Sequence, residues 1–328
     1  VVKGSLQVLC VGLALGLGLC TLGPLDSLCT AKGQAEDVLF AGLGPAIDSI
    51  QAALRTQAPL AAKPVGTSSV VFKLDLEGPI DAAFRPESRL NPRGHLSEIA
   101  AFRVGCGLGL TNVAPAVPRS LSWADLEKLV YAAKPEAWSL LQPDMIQRNG
   151  QVFGVAIYWI PEMRELGLDT NEGIARFSRW LSQAGTPASR EKSKLLAAQI
   201  STMLSFDYVV ANFDRFSGAN AQGDASGEHL FLRDHNMAFF EPLRSTHHER
   251  ILGRLKRAQR FSRSFVHALK ELDAPRLSGA LADPMDPPDF RVLSEGQIRG
   301  VLDRRTALLS YIAALIDTYG ERNVLTFP

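Results

Sequence analysis

The stretch Phe206-Asp207-Tyr208-Val209-Val210-Ala211-Asn212-Phe213-Asp214-Arg215 is an apolar, helix-like run that ends in Asn-x-Asp-Arg. Twenty residues beyond Asp214, the apolar triplet Leu230-Phe231-Leu232 delivers a second acid in Arg233-Asp234-His235-Asn236. Two aspartates at the ends of neighbouring elements, separated by a hairpin-sized loop, can divide two tasks. One orients a hydroxyl and accepts its proton, and the other holds the metal that neutralises nucleotide phosphates. A surface or capping carboxylate is the alternative reading of each.

Working outward, Lys192 to Val210 has the spacing of one long helix, with Leu195, Leu196, Ile200, Met203 and Leu204 on a shared face. Upstream, Val70 to Leu76 alternates, with Phe72, Leu74 and Leu76 opposite Val71, Lys73 and Asp75. Gly78-Pro79 breaks the run, and Ile80 to Arg85 resumes it as the second strand of a hairpin. His95 to Arg103 reads as helix, and Val152 to Ile160 as a strand closed by Pro161. Val113 to Leu121 is punctuated by prolines, and Thr56 to Thr67, with Pro59, Pro64 and Gly66, reads as linker. Beyond Glu241 the chain is helix and loop, with a proline-rich break over 283–289 and a helix over 297–319. Strands plus a helix followed by mostly helices predict an α+β, bilobal arrangement with a small sheet-bearing N-lobe on a helical C-lobe.

The 328 residues are 46% hydrophobic and 21% charged, with net charge +1 and no internal repeat, so nothing calls for a nucleic-acid partner. Arg254, Lys256, Arg257, Arg260 and Arg263 recur at roughly helical intervals and read as a solvated face. Lys3 followed by an uncharged run from Gly4 to Leu25, with small residues at Ala31 and Ala35, predicts an export signal over residues 1–35. An uncleaved anchor is the alternative, weakened by Gly16, Gly18, Gly23 and Pro24. Removal of the signal takes Cys10, Cys20 and Cys29 with it and leaves Cys106 alone, as a small core residue without a disulfide. The expected organisation is signal 1–35, helical extension and linker 36–67, N-lobe 68–160 and C-lobe 161–328. After signal cleavage no stable membrane insertion is expected.

Three segments in order resemble the four-jointed kinases and the related Golgi casein kinases of the secretory pathway. They are Ala83-Phe84-Arg85-Pro86, Ser97-Glu98-Ile99-Ala100-Ala101-Phe102 and the stretch from Phe206 to Arg215. The resemblance runs from about Ser68 to about Phe240 and implies a protein-kinase-like fold. It implies that Asp214 is the catalytic aspartate, that Asp234 binds Mg²⁺ or Mn²⁺, and that Glu98 pairs with the cation that holds the phosphates of ATP or another nucleoside triphosphate. Two positions depart from the family pattern. Arg85 stands where the family has lysine, and the two side chains are not interchangeable; Lys73 could substitute but lies on the polar face of its strand. The metal-binding asparagine expected five residues beyond the catalytic aspartate is displaced by one, to Asn220, which a turn-stabilising role explains equally well. Asn212 is expected to shape the loop.

The resemblance thus implies an exported kinase that transfers a γ-phosphate to Ser/Thr of an exported protein or to a glycan hydroxyl. The scarcity of cysteine points to a bacterial-type relative. A pseudokinase acting as a nucleotide-binding or scaffolding module is the alternative that Arg85 and the displaced Asn220 favour. A small-molecule phosphotransferase would share the two aspartates. The glycines of Gly105-Cys106-Gly107-Leu108-Gly109 follow a helix and lack phosphate-loop spacing, and His247-His248 lacks companion metal ligands.

Overall fold

The computed structural model describes residues 46–66, 69–217 and 220–328. The expected export signal therefore lies outside the described residues, and among those described no helix is long and apolar enough to cross a membrane. Helix α1 (Ile47–Thr56) buries Ile47, Ile50 and Leu54 on one face. Strands β1 (Pro59–Pro64), β2 (Phe72–Leu76) and β3 (Asp81–Pro86) follow, antiparallel in sequence, with Pro64 opposite Phe72 and Phe72 opposite Phe84. The alternation read from β2 is realised: Phe72, Leu74 and Leu76 are buried, while Lys73 and Asp75 are only partly covered.

Helix α2 (Gly94–Gly107) is buried along almost its whole length. Next come β4 (Ala116–Ser122), α3 (Trp123–Ala133), α4 (Pro135–Leu141), β5 (Gln147–Arg148) and β6 (Gln151–Tyr158). Asn149 and Gly150 both have positive φ in the two-residue turn between β5 and β6, the geometry that Asn-Gly hairpins adopt. The main sheet has the order β1-β2-β3-β6-β4, with β5 also paired to β6.

One of these strands overturns the reading of its residues as linker, and a second is a run in which prolines had hidden a strand. Residues 59–64 are strand rather than linker, and the proline-punctuated run 116–122 is strand as well. Both lie at sheet edges, where a proline's missing N–H faces away from the ladder and costs no hydrogen bond. Pro59, Pro64 and Pro118 are therefore compatible with pairing, although in a central strand they would not be.

The C-lobe begins with β7 (Arg164–Glu165), α5 (Asn171–Leu181) and α6 (Glu191–Val210). Strands β8 (Ala221–Gly223) and β9 (Leu230–Leu232) join β7 in a second sheet of order β7-β8-β9. Helices α7 (Ser245–Leu255), α8 (Arg263–Glu271), α9 (Ala274–Leu281), α10 (Glu295–Tyr319) and α11 (Glu321–Val324) complete it. Every residue of α6 from Ala197 to Val210 is buried, so this helix is the axis of the C-lobe core. The result is a small antiparallel-sheet lobe on a larger helical lobe, a protein-kinase-like fold.

Helix α2 fastens the lobes together. Ile99, Phe102 and Val104 belong to the core built around α6, not to the core enclosed by the main sheet. Arg103, 5% exposed, donates to both carboxylate oxygens of Asp286 at 2.6 Å and to the Leu281 carbonyl at 2.6 Å. The proline-rich break thus supplies the acid that holds α2 in place. In the full chain Cys106 is disulfide-bonded; the expectation of a lone cysteine concerned the chain after signal removal. Its partner lies outside the described residues.

Candidate active site

The stretch that opened the sequence reading ends helix α6 through a left-handed residue. Ala211 has φ +57°, and the Asn212 N–H turns back to the Asp207 carbonyl at 2.8 Å. Asn212, fully buried, donates through Nδ2 to Asp207 Oδ1 at 3.2 Å and accepts at Oδ1 from the Asp214 N–H at 3.2 Å. It shapes the turn that presents Asp214, as its position beside that residue predicts.

Arg215 holds the turn from the other side and is completely buried. Its Nε and Nη2 donate to the two carboxylate oxygens of Asp207, each at 2.9 Å, in a bidentate pair. Its Nη1 donates to the carbonyls of Asn220 at 2.9 Å and Arg233 at 2.6 Å, and Nη2 also meets His235 Nε2 at 2.9 Å. One guanidinium therefore ties α6 to the loop carrying Asn220 and to the segment carrying Asp234. Burial and the Arg215 charge push the His235 pKa well below its ordinary value, so the ring is neutral and its Nε2 accepts. Asp207, Arg215 and His235 were given no role in the sequence reading. The available signal was an aspartate inside an otherwise apolar helical run, since a buried charge demands a partner.

Asp234 follows β9 with φ +56°, and the next N–H, that of His235, donates to Glu98 Oε2 at 2.9 Å. Arg85, on β3, reaches three groups at once. Nη2 donates to Asp234 Oδ1 at 2.9 Å, Nη1 to Ser69 Oγ at 2.9 Å, and Nε lies 3.5 Å from Glu98 Oε1. A lysine has one ammonium where this planar fork has three nitrogens, so the departure from the family pattern is geometrically consequential. Lys73 does not replace Arg85. It pairs with Asp81 at 2.7 Å and lies outside the lining of the cleft, and the hydrogen bond it donates to Asp81 raises its pKa.

These groups converge on a cleft of about 330 Å³ between the lobes, lined by Ser69, Arg85, Glu98, Asp214, Asn220 and Asp234. Tyr158, Trp159, Ile160 and Met163 line it as well, at the join between the lobes. Val65, Gly66 and Ser69 line one side, and a Cβ on Gly66 would lie 1.9 Å from the Ser69 carbonyl oxygen, so this tight approach requires glycine. All five residues singled out from the sequence (Arg85, Glu98, Asp214, Asn220 and Asp234) are thus brought together. Asn220, 5% exposed, also donates through Nδ2 to the Asp214 carbonyl at 3.4 Å, so it contributes to the turn as well as to the cleft lining.

The electrostatics follow from burial. Desolvation, reinforced by Asp234, raises the Asp214 pKa against the opposing pull of Ser217, Arg254 and Arg250. Burial pushes the Glu98 carboxyl up to about 7, outweighing the nearby Arg85, with Asp234 adding to the rise. Between 4.5, the ordinary carboxyl value, and about 7, Glu98 in the folded protein holds a proton that the unfolded chain has released. Glu98 therefore stabilises the fold fully below about pH 4.5, and that contribution is lost as pH rises through about 7. Urea unfolding of the nucleotide-free protein should show stability falling across this window, by at most about 3 kcal/mol from this group. Glu98→Gln should flatten the fall; an unchanged slope in the variant would refute the assignment.

Among the described residues no three His, Cys, Asp or Glu side chains cluster as a self-sufficient metal site. The cleft nonetheless fits Mg²⁺ or Mn²⁺. Asp214, Asp234 and the Asn220 amide offer hard oxygen donors, and nucleotide phosphates ordinarily complete such a coordination shell. The repulsion that Asp234 exerts on Asp214 is the charge imbalance a dication relieves.

No family model matches this sequence, and no curated protein does. Solved structures do. Over 85% of its length the chain is similar to the Golgi casein kinase with Mn/ADP bound, at 16% identity and TM-score 0.61, covering 78% of that chain. It is similar over the same share to the hydra Fam20 with sugar, at 17% identity and TM-score 0.60, covering 91% of that chain. At this identity the comparison speaks to fold: the protein has the kinase-like fold of the Golgi casein kinases.

Proposed function

We propose that this protein is an exported atypical kinase that transfers the γ-phosphate of ATP or a similar nucleotide to a hydroxyl on a protein (Ser/Thr) or a glycan. The observation that carries the reading is the convergence of Asp214, Asp234 and the Arg85–Glu98 pair on one interlobe cleft. The acceptor oxygen bonds to the γ-phosphorus as the bond from phosphorus to the β,γ-bridging oxygen breaks, and the nucleoside diphosphate leaves. Asp214 orients the acceptor hydroxyl and takes its proton. Arg85, held by Glu98, meets the phosphates with a fixed guanidinium. Asp234 and Asn220 would hold the Mg²⁺ or Mn²⁺, which when bound neutralises phosphate charge. Export rests on the N-terminal apolar run. The neighbours support nucleotide and metal use only by analogy, since Mn and ADP are bound in one of them and a sugar in another.

The pseudokinase reading draws on one observation, the Arg85 hydrogen bond to Asp234 Oδ1, which engages an oxygen that a metal would use. Calorimetric titration with ATP and Mn²⁺ separates the outcomes. Metal-dependent binding is expected, weakened about tenfold or more in Asp234→Ala. Folded wild-type protein that binds no nucleotide would leave a scaffold. Binding without phosphoryl transfer to any acceptor or to water would leave a nucleotide-binding module.

A further inference from the structure

A cavity of about 720 Å³ opens in the C-lobe, and none of its lining residues lines the interlobe cleft. Its walls come from the end of α5, the segment leading into α6, the first turns of α6, Glu228 between β8 and β9, the loop before α8 and residues 326–328. They are largely apolar: Trp180, Pro187, Ala188, Leu195 and Phe327. The volume falls within the range of about 300–1,000 Å³ typical of small-molecule sites.

One buried charge in this lining is unusual. Arg260 is 7% exposed, and its Nη1 donates to the Trp180 carbonyl at 2.8 Å. No carboxylate among the described residues pairs with it, and burial alone lowers its pKa without an opposing acid. A guanidinium has five N–H donors, so most of its hydrogen-bonding capacity remains for something in the cavity. The two lysines in the lining are already matched by glutamates. Lys192 pairs with Glu228 at 3.1 Å and Lys194 with Glu191 at 3.4 Å. Both pairs are solvent-exposed, and Arg260 has no such partner among the described residues. Burying a charge without a counter-charge is costly, and a carboxylate presented at two N–H groups offsets that cost.

We propose that this cavity binds a small amphipathic monoanion, an apolar chain or ring bearing one carboxylate, with the carboxylate on Arg260 and the apolar body against Trp180, Leu195 and Phe327. The site is independent of the kinase reading and would stand if that reading failed. Octanoate serves as the probe, titrated calorimetrically into the full chain, with octanol as the uncharged counterpart. One-to-one octanoate binding is expected, with octanol weaker by about tenfold or more. Arg260→Gln should weaken octanoate by a similar factor and leave octanol unchanged. Because Arg260 also holds the Trp180 carbonyl, a second variant, Ala188→Trp, fills the cavity without touching that bond and should abolish binding of both. Absence of octanoate binding by folded wild-type protein would overturn the proposal. So would equal affinity for the two probes, or octanoate binding that survives Ala188→Trp.

Discussion

Asp214→Asn is expected to lower phosphoryl transfer by about 10²–10⁴-fold while leaving affinity for ATP and Mn²⁺ within a small factor of wild type. The amide is nearly isosteric, so the turn set by Asn212 and Arg215 should persist, but it cannot accept the acceptor's proton. Asn212 reaches the Asp214 backbone N–H, not its side chain, so that contact survives the substitution. Single-turnover transfer to casein or to water, with calorimetry on the same sample, checks both halves. Undiminished transfer would remove Asp214 from the mechanism. Loss of nucleotide binding together with transfer would make it a ligand-binding group instead.

Arg215→Met should have the largest effect on stability. It strands the Asp207 carboxylate, which is 4% exposed, and breaking a buried pair in this way costs about 3–5 kcal/mol. The urea midpoint measures that loss. A double change, Asp207→Leu with Arg215→Met, replaces both charges by apolar groups of similar size and should recover part of the stability. It should not recover nucleotide binding, because the Asn220 and Arg233 carbonyls still lack the donor that fixes the loop and the Asp234 segment. Stability and binding recovered together would show that Arg215 acts only as a core ion pair. Stability recovered without binding would identify it as the residue that positions the two aspartates.

Much of the fold was legible in the sequence because it rests on local periodicity. The alternation of Phe72, Leu74 and Leu76 specifies a one-sided strand, and the spacing from Leu195 to Leu204 specifies a buried helix. The site residues were legible for a related reason. Acids stand directly after an apolar helix and an apolar strand, in the order that resembles a known family. Residues 59–64 were misread as linker, and 116–122 went unassigned, because a proline's compatibility with a strand depends on which neighbours that strand has, and edge position is a property of the assembled sheet.

The amino-acid order by itself determined strand β2, helix α6, the order of the two lobes and the acids that reach the cleft. Only tertiary structure decided how they act together. It placed Arg85 against Asp234, 149 positions away, and Glu98 against the His235 N–H, 137 positions away. It also enclosed Arg215 among two loops and a helix, and left Arg260 facing a cavity. Periodicity reports which face of an element is buried. Which charge meets which across the interior depends on how whole elements pack, and pairing between distant residues leaves no periodic trace in a single chain.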